Sequence, residues 1–424
     1  LAFADTYFKR FQSKETFINV KPSENLFLII VIPVFNEPDL ISALKSLVDC
    51  KLPTNDAEII VIINSSENSS KDIIEQNRKT YNEALIFSEQ YSSNHLKIHI
   101  LNLENLPHKF AGVGLARKIG MDEALHRFNF LNKPHGLIAG FDADAKVKPN
   151  YLKEIENYFF KNPKIDACSV DFQHPISGEA FPKEIYNYII QYELHLRYFI
   201  EALRFINFPF AYQTIGSSFV VKAEMYAKQG GMNRRKAGED FYFLHKIIQQ
   251  GNYGEIFSTA VFPSPRISDR VPFGTGAAIK KMTEAAQNEY LTYAMESFLV
   301  LKVFFDRKNI FYSQFNYENL NQSVLEFLQL NNFESDIIKI RKESPDLKAF
   351  NKKFFEWFNA FRIIKYLNFA HEKHFKKINV LKESKKLLDY KGLNFDETLN
   401  AENVLLLYRT FYTQKSDKLI IADA

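Results

Sequence analysis

Between Leu26 and Phe141 the chain alternates buried-strand and helix patterns, and this alternation restricts its fold more than any other feature. Leu26–Val34 is a continuous apolar, largely β-branched run that ends around Pro33. Such a run, with no polar alternation, suits a strand covered on both faces. Asp39–Val48 has apolar residues at helical spacing, and Glu58–Ile63 is a second buried strand. A helix from Lys71 to about Ala84 and a third strand at Leu96–Leu101 follow. Gly112–Phe130 is helical, and Gly136–Phe141 is a fourth strand that runs directly into Asp142. Strands alternating with helices pair in parallel through right-handed crossovers, so an open α/β sheet is predicted. Ligands of such sheets bind beyond the carboxyl ends of the strands. That rule gathers Asn36, Glu37, Asn64, Asp142 and Asp144 around one crevice.

Farther on the pattern is mixed. Strands are predicted at Ala167–Phe172, near Ser217–Val221 and at Glu255–Phe262, with a long helix at Lys183–Arg204 and another beginning at Glu239. Beyond about Gly276 helical periodicity takes over. A chain of 424 residues exceeds one ordinary core. The predicted organisation is therefore an N-terminal extension (1–25), a sheet domain (26–277) and a helical domain (278–424).

Composition excludes several classes. The formal charge of +4 is small for this length and gives no reason to expect nucleic acid. Cys50 and Cys168 stand in no metal-like spacing and fit a reducing compartment. No run of about 18 apolar residues is present, so no transmembrane helix is predicted. The expected location is cytoplasmic. The stretch from Lys339 to Lys391 is rich in Lys and Arg and contains Phe354, Phe355, Trp357 and Phe358. It reads as a helical core with solvated lysines, or as a surface for anionic lipid or an anionic glycan at the inner face of a membrane. The chain starts at Leu1 with neither an initiator Met nor a signal-peptide pattern.

Gly140-Phe141-Asp142-Ala143-Asp144 delivers two carboxylates, one residue apart, at the exposed end of an apolar strand. Such a pair suits a hard divalent cation that also coordinates a diphosphate. Alone it would equally suit a solvated turn. Gly238-Glu239-Asp240 opens a helix, where acids are ordinary dipole partners. At a crevice rim, such a carboxylate could also take the proton from an attacking hydroxyl. Arg266 and Arg270 lie in a loop after the last strand and suit phosphate oxygens, or are surface charges. Arg117 either reaches a diphosphate or snorkels from its helix. His108, Lys109 and His245 read as structural or surface residues.

Taken in order, these motifs resemble the GT-A-fold inverting glycosyltransferases of family 2, over Leu26 to Gly276. Pro33-Val34-Phe35-Asn36-Glu37 is similar to the motif that opens the nucleotide site. Gly112-Val113-Gly114-Leu115-Ala116-Arg117-Lys118-Ile119-Gly120 is similar to the glycine-rich helix entry with its Ala-Arg pair. Asp142-Ala143-Asp144 matches the metal motif. Gly216-Ser217-Ser218-Phe219, Gly230-Gly231-Met232 and Gly238-Glu239-Asp240 match the acceptor-side segment.

The resemblance implies a Rossmann-like, open mixed sheet with helices on both faces and a helical C-terminal domain. It implies transfer of a sugar, with inversion, from a nucleotide-diphospho-sugar to a hydroxyl of a glycan, a lipid-linked acceptor or a small molecule. Asp142 and Asp144 would hold Mg2+ or Mn2+, Asp240 would be the general base, and Glu239 would orient the base or the acceptor. Pro33, Phe35, Asn36, Glu37, Asn64, Arg117, Asp142, Arg266 and Arg270 would line the donor site. Asn64-Ser65-Ser66 departs from the acid pair usual after the second strand, so the nucleobase is left open. Two other readings stand beside this one. A nucleotidylyltransferase would want a Gly-rich basic loop where Asn36-Glu37-Pro38 stands. A non-catalytic nucleotide-sugar-binding protein would have no need of Asp142, Asp144 and Asp240 together.

Overall fold

The computed structural model of the protein describes residues 2–11, 16–235, 238–268, 274–285 and 289–422. Eight strands form one sheet: β1 (Leu26–Val34), β2 (Asp56–Ser66), β3 (Leu96–Leu106), β4 (Leu137–Gly140), β5 (Lys146–Val147), β6 (Ala167–Phe172), β7 (Phe219–Lys222) and β8 (Tyr253–Phe262). Their order is β3-β2-β1-β4-β7-β6-β8-β5. The first half is parallel, with β1 between β2 and β4 and with β3 outside β2. β7 runs antiparallel to both β4 and β6, β6 is parallel to β8, and β5 is antiparallel to β8. This is the open mixed sheet that the resemblance implied.

The sheet's helices are α1 (Asp5–Phe11), α2 (Leu40–Val48), α3 (Lys71–Tyr91), α4 (Val113–Phe130) and α5 (Tyr151–Lys161), followed beyond α6 (Lys183–Phe205) by α7 (Ala223–Lys228) and α8 (Glu239–Ile248). Nearly every residue of β1 and β2 is buried, which is why their sequences carry no polar alternation. Pro33 is tolerated in a central strand because β4 pairs only as far as Val31, leaving Pro33 a partner on β2 alone. α4 lies hard against this part of the sheet. A Cβ at Gly120 would stand 2.5 Å from Val31 Cγ1 and 3.0 Å from Ile62 Cγ1.

The N-terminal extension contains α1, which docks on α4. Tyr7 donates to Asp122 Oδ1 at 2.7 Å and accepts from Lys118 Nζ at 2.8 Å, while Phe8 stacks on the His126 ring at 3.7 Å.

By contact the chain divides into two compact units, Leu1–Pro175 with Thr214–Ala277 and Tyr412–Ala424, and Ile176–Gln213 with Ala278–Phe411. The division does not follow one cut at residue 277, because α6 joins the helical unit. Its Leu194, Tyr198 and Leu203 are buried in the same apolar cluster as Phe298 and Leu388. Its Glu193 accepts from Arg409 Nη2 at 2.7 Å. The other helices there are α9 (Thr275–Glu284), α10 (Met295–Asp306), α11 (Ile310–Ser313), α12 (Gln322–Leu330), α13 (Phe333–Lys342), α14 (Leu347–Trp357), α15 (Ala360–Lys373), α16 (Val380–Tyr390) and α17 (Ala401–Ala422). A small pair, β9 (Leu291–Thr292) and β10 (Ile378–Asn379), joins two of the connections. Phe354, Phe355, Trp357 and Phe358 of the basic stretch are buried in this core. Among the described residues no helix is long and apolar enough to cross a membrane.

Candidate active site

The turn after β1 is held in place by polar ties. Asn36 has φ +49°, in the left-handed region that Asn accepts more readily than most residues, and its N–H donates to Asn77 Oδ1 at 2.9 Å. Thr80 Oγ1 donates to the Glu37 carbonyl at 2.7 Å. These bonds fix the backbone on both sides of the Glu37 carboxylate, which is fully buried. Pro33 is buried, Phe35 is half-buried and Asn36 is exposed.

Beyond β4 the chain turns, the Ala145 N–H donating to the Asp142 carbonyl at 3.1 Å. Phe141, Ala143 and Ala145 are buried, whereas Asp142 and Asp144 are half-buried. Each meets an arginine from elsewhere. Asp142 Oδ1 accepts from Arg117 Nη2 at 2.6 Å, and Asp144 Oδ2 lies 2.9 Å from Arg266 Nε. Arg117 comes from the second turn of α4 and is 2% exposed. Its Nη1 bonds Glu239, which is itself 3% exposed. Arg266 forks onto both oxygens of Glu37, with 3.0 Å to Oε1. A planar guanidinium suits this kind of two-carboxylate bridging better than a lysine would.

Gly238, with φ +70°, starts α8 and turns the acid pair into the crevice. The Asp240 carboxylate lies beside Arg117. A Cβ at Gly216 would meet Arg117 Nη1 at 2.9 Å and Asp240 Oδ2 at 3.0 Å, so only glycine leaves room there. Asp240 Oδ1 accepts the Phe241 N–H at 2.7 Å. Burial and the neighbouring Glu239 push its carboxyl up to about 7, while Arg117 pulls the other way.

The structure therefore brings Glu37, Asp142, Asp144, Glu239 and Asp240 together with Arg117 and Arg266. The bridging role of Arg117 differs from both sequence expectations, since it neither snorkels nor stands free for a phosphate. Asn64 is 1% exposed; its Nδ2 donates to the Val34 carbonyl at 2.8 Å, and its Oδ1 is buried without a partner among the described residues. Arg270 lies outside the described residues. His245 is buried and stacked on Phe241. Gly216 belongs to a recognisable motif, but its place at the site rests on a steric fit that sequence does not display.

No group of three or more metal-ligating side chains occurs among the described residues. Asp142 and Asp144 are nonetheless the donor set expected for an ion that takes one or two carboxylates from the protein and the rest of its oxygens from a diphosphate and water. Charge supports the same fit. Five carboxylates face two guanidinium groups, which leaves three negative charges uncompensated when all are ionised. A bound cation would offset part of that charge for an entering diphosphate.

The family model for glycosyl transferase family 2 matches residues 29–217, which run from β1 to the segment before β7. A poly(ribitol-phosphate) β-glucosyltransferase of Bacillus spizizenii is 43% identical over 65 residues, 15% of this chain and 10% of that protein. The chain thus spans about a tenth of the length of that curated relative. Among solved structures, S. aureus TarS 1–349 in complex with UDP aligns over 88% of this chain and 94% of its own, with 13% identity and a TM-score of 0.38. The mannosyltransferase PcManGT of Pyrobaculum calidifontis, in complex with GDP-Man and Mn2+, aligns over 87% and 93%, with 14% identity and a TM-score of 0.34. With its mixed sheet and its matched segment, the chain carries a glycosyltransferase domain of family 2.

Proposed function

We propose that this chain transfers a sugar from a nucleotide-diphospho-sugar to an acceptor hydroxyl, with inversion at the anomeric carbon and with a divalent cation. The observation that carries the reading is the meeting of Asp142 with the Glu239–Asp240 pair through a single buried arginine, Arg117, while Asp144 pairs with Arg266. Mg2+ or Mn2+ held by Asp142 and Asp144 would neutralise charge on the departing nucleoside diphosphate. Asp240 takes the proton of the attacking hydroxyl. Its carboxyl, pushed up to about 7, is a stronger base than an ordinary aspartate and still ionises near neutral pH. Glu239 neutralises Arg117 and so keeps that cation from holding Asp240 fully ionised and weakly basic. Arg266 keeps Glu37 and Asp144 in position at the nucleotide end of the crevice.

Incubation with a panel of nucleotide sugars, with Mn2+ or with EDTA, tests the proposal. Release of nucleoside diphosphate with at least one donor, suppressed by EDTA, is expected. If no donor is bound or consumed, the reading fails. Proton NMR of the first product anomer decides between inversion and retention.

A further inference from the structure

The loops that lead into α4 and α8 meet beside the acid pair. A Cβ at Gly114 would stand 2.0 Å from the Arg235 carbonyl oxygen, so the second loop rests on the first turn of the helix that carries Arg117. Asn233 reinforces the arrangement, donating to the Glu239 carbonyl at 3.1 Å and accepting the Arg235 N–H at 3.0 Å. Three exposed cations lie on aromatic faces there. The Arg234 guanidinium carbon is 5.7 Å and Lys109 Nζ 5.3 Å from the centre of the Phe110 ring, and the Arg235 guanidinium carbon is 3.8 Å from the centre of Tyr242.

The contrast with the crevice is direct. Arg117 and Arg266 are each clamped by two carboxylates. Among the described residues no carboxylate pairs with Lys109, Arg234 or Arg235. A cation lying on a ring face is held in position while its N–H donors remain available to an anion. Arg234 and Arg235 stand a few residues before Glu239 and Asp240 in the sequence, the pair that the transferase reading assigns to the acceptor hydroxyl.

We propose that this rim binds the anionic groups of a charged acceptor chain, phosphodiester or carboxylate, and leads its hydroxyl to Asp240. The inference rests on the transferase reading for the last step but not for the binding. Nucleic acid is the poorer fit, because the faces of Phe110 and Tyr242 are already covered by cations and offer bases no stacking platform.

Fluorescence anisotropy with four end-labelled oligomers of matched length provides the test: a polyol phosphate, an oligouronate, a neutral oligosaccharide and single-stranded DNA. The full chain is compared with the Arg234→Gln/Arg235→Gln variant, and with Arg234→Lys/Arg235→Lys as the variant that keeps the charge. At least one of the two charged glycans binds, with an affinity that falls as salt rises and that the Gln variant weakens on the order of tenfold or more. The Lys variant retains part of it, which also separates lost charge from lost folding. Neutral sugar or DNA bound as tightly as the charged glycans overturns the proposal, as does an unchanged Gln variant. A Gln variant that loses nucleoside-diphosphate binding by the same factor also overturns it, since the rim would then serve the donor. The difference between polyol phosphate and oligouronate identifies the anion. Charged-glycan binding without any sugar transfer would leave the rim standing and remove the transferase reading.

Discussion

Replacing Asp240 by Asn separates what this group does for catalysis from what it costs the fold. The carboxyl is moved from its ordinary 3.8 to about 7, chiefly by burial and then by Glu239. About three pH units at ~1.4 kcal/mol each set a ceiling of about 4 kcal/mol for the penalty on the ionised form. Glu239 shares that penalty and relaxes when its neighbour loses charge, so a net gain of about 1–2 kcal/mol is expected from the substitution above pH 7. That corresponds to a Tm higher by a few degrees. The Asn Oδ1 still accepts the Phe241 N–H, so no buried donor is orphaned.

The sign follows from proton binding. The folded chain holds this proton more tightly than the unfolded one. Its stabilising contribution is therefore complete below about pH 4 and is lost as pH rises to about 7. The variant should accordingly outlast the wild type at pH 8, with the gap closing at pH 5. Differential scanning calorimetry at both values, without metal or nucleotide, measures it. Turnover should fall by ~10²-fold or more, with donor affinity little changed. A Tm gap equal at pH 5 and pH 8 would refute the electrostatic account, and wild-type turnover would refute the base.

Three further outcomes follow from the geometry. Asp144→Ala should abolish Mn2+-dependent donor binding in titration calorimetry, and donor binding that survives with its metal dependence intact would reject the ligand assignment. Arg117→Met should cost about 3–5 kcal/mol in urea unfolding, because Glu239 is left buried beside two other carboxylates; a loss below about 1 kcal/mol would show that the pair is not charged as described. Gly114→Ala should displace the loop at Arg235, lowering stability by about 1–3 kcal/mol and raising the KM for acceptor more than that for donor. Equal shifts in both constants would contradict the placement of that loop on the acceptor side.

The parts of the fold that sequence displays well are those decided by local burial. Leu26–Val34 coincides with β1, because a strand covered on both faces leaves an unbroken apolar run, and Ala167–Phe172 coincides with β6 although Ser169 and Asp171 interrupt its apolar residues. β2 and β3 extend several residues past their predicted ends, through Asn64-Ser65-Ser66 and Asn102–Leu106, where ladder bonds continue although the side chains turn polar. α1 and α5 lie outside the predicted elements, although acids stand in their first turns (Asp5, Glu154) and bases in their last (Lys9 and Arg10, Lys161). The site was legible as a set of residues but not as a set of bonds. Asp142, Asp144, Glu239 and Asp240 could be picked out by type and place. That Arg117 would be buried between two of them depends on α4 meeting α8, a contact between segments more than a hundred residues apart. The capture of α6 by the helical unit is of the same kind, since its apolar residues would serve either core equally well by pattern.

The arginines also show that Asp142 and Asp144 are less alike than their spacing suggests. Asp142 answers to Arg117, and through it to Glu239 at the start of α8, the acceptor end on the proposed reading. Asp144 answers to Arg266, and through it to Glu37 just after β1, the nucleotide end on that reading. A cation on this pair would therefore sit between two separately anchored carboxylates, each already partly compensated. Its field would reach the base through Arg117 and the donor site through Arg266. Neutralising Asp142 leaves a buried guanidinium to Glu239 and Asp240, whereas neutralising Asp144 leaves a more accessible one to Glu37 alone. The two aspartates of one short motif thus pair with different arginines, and on the proposed reading a cation bound to both would connect the two ion-pair systems.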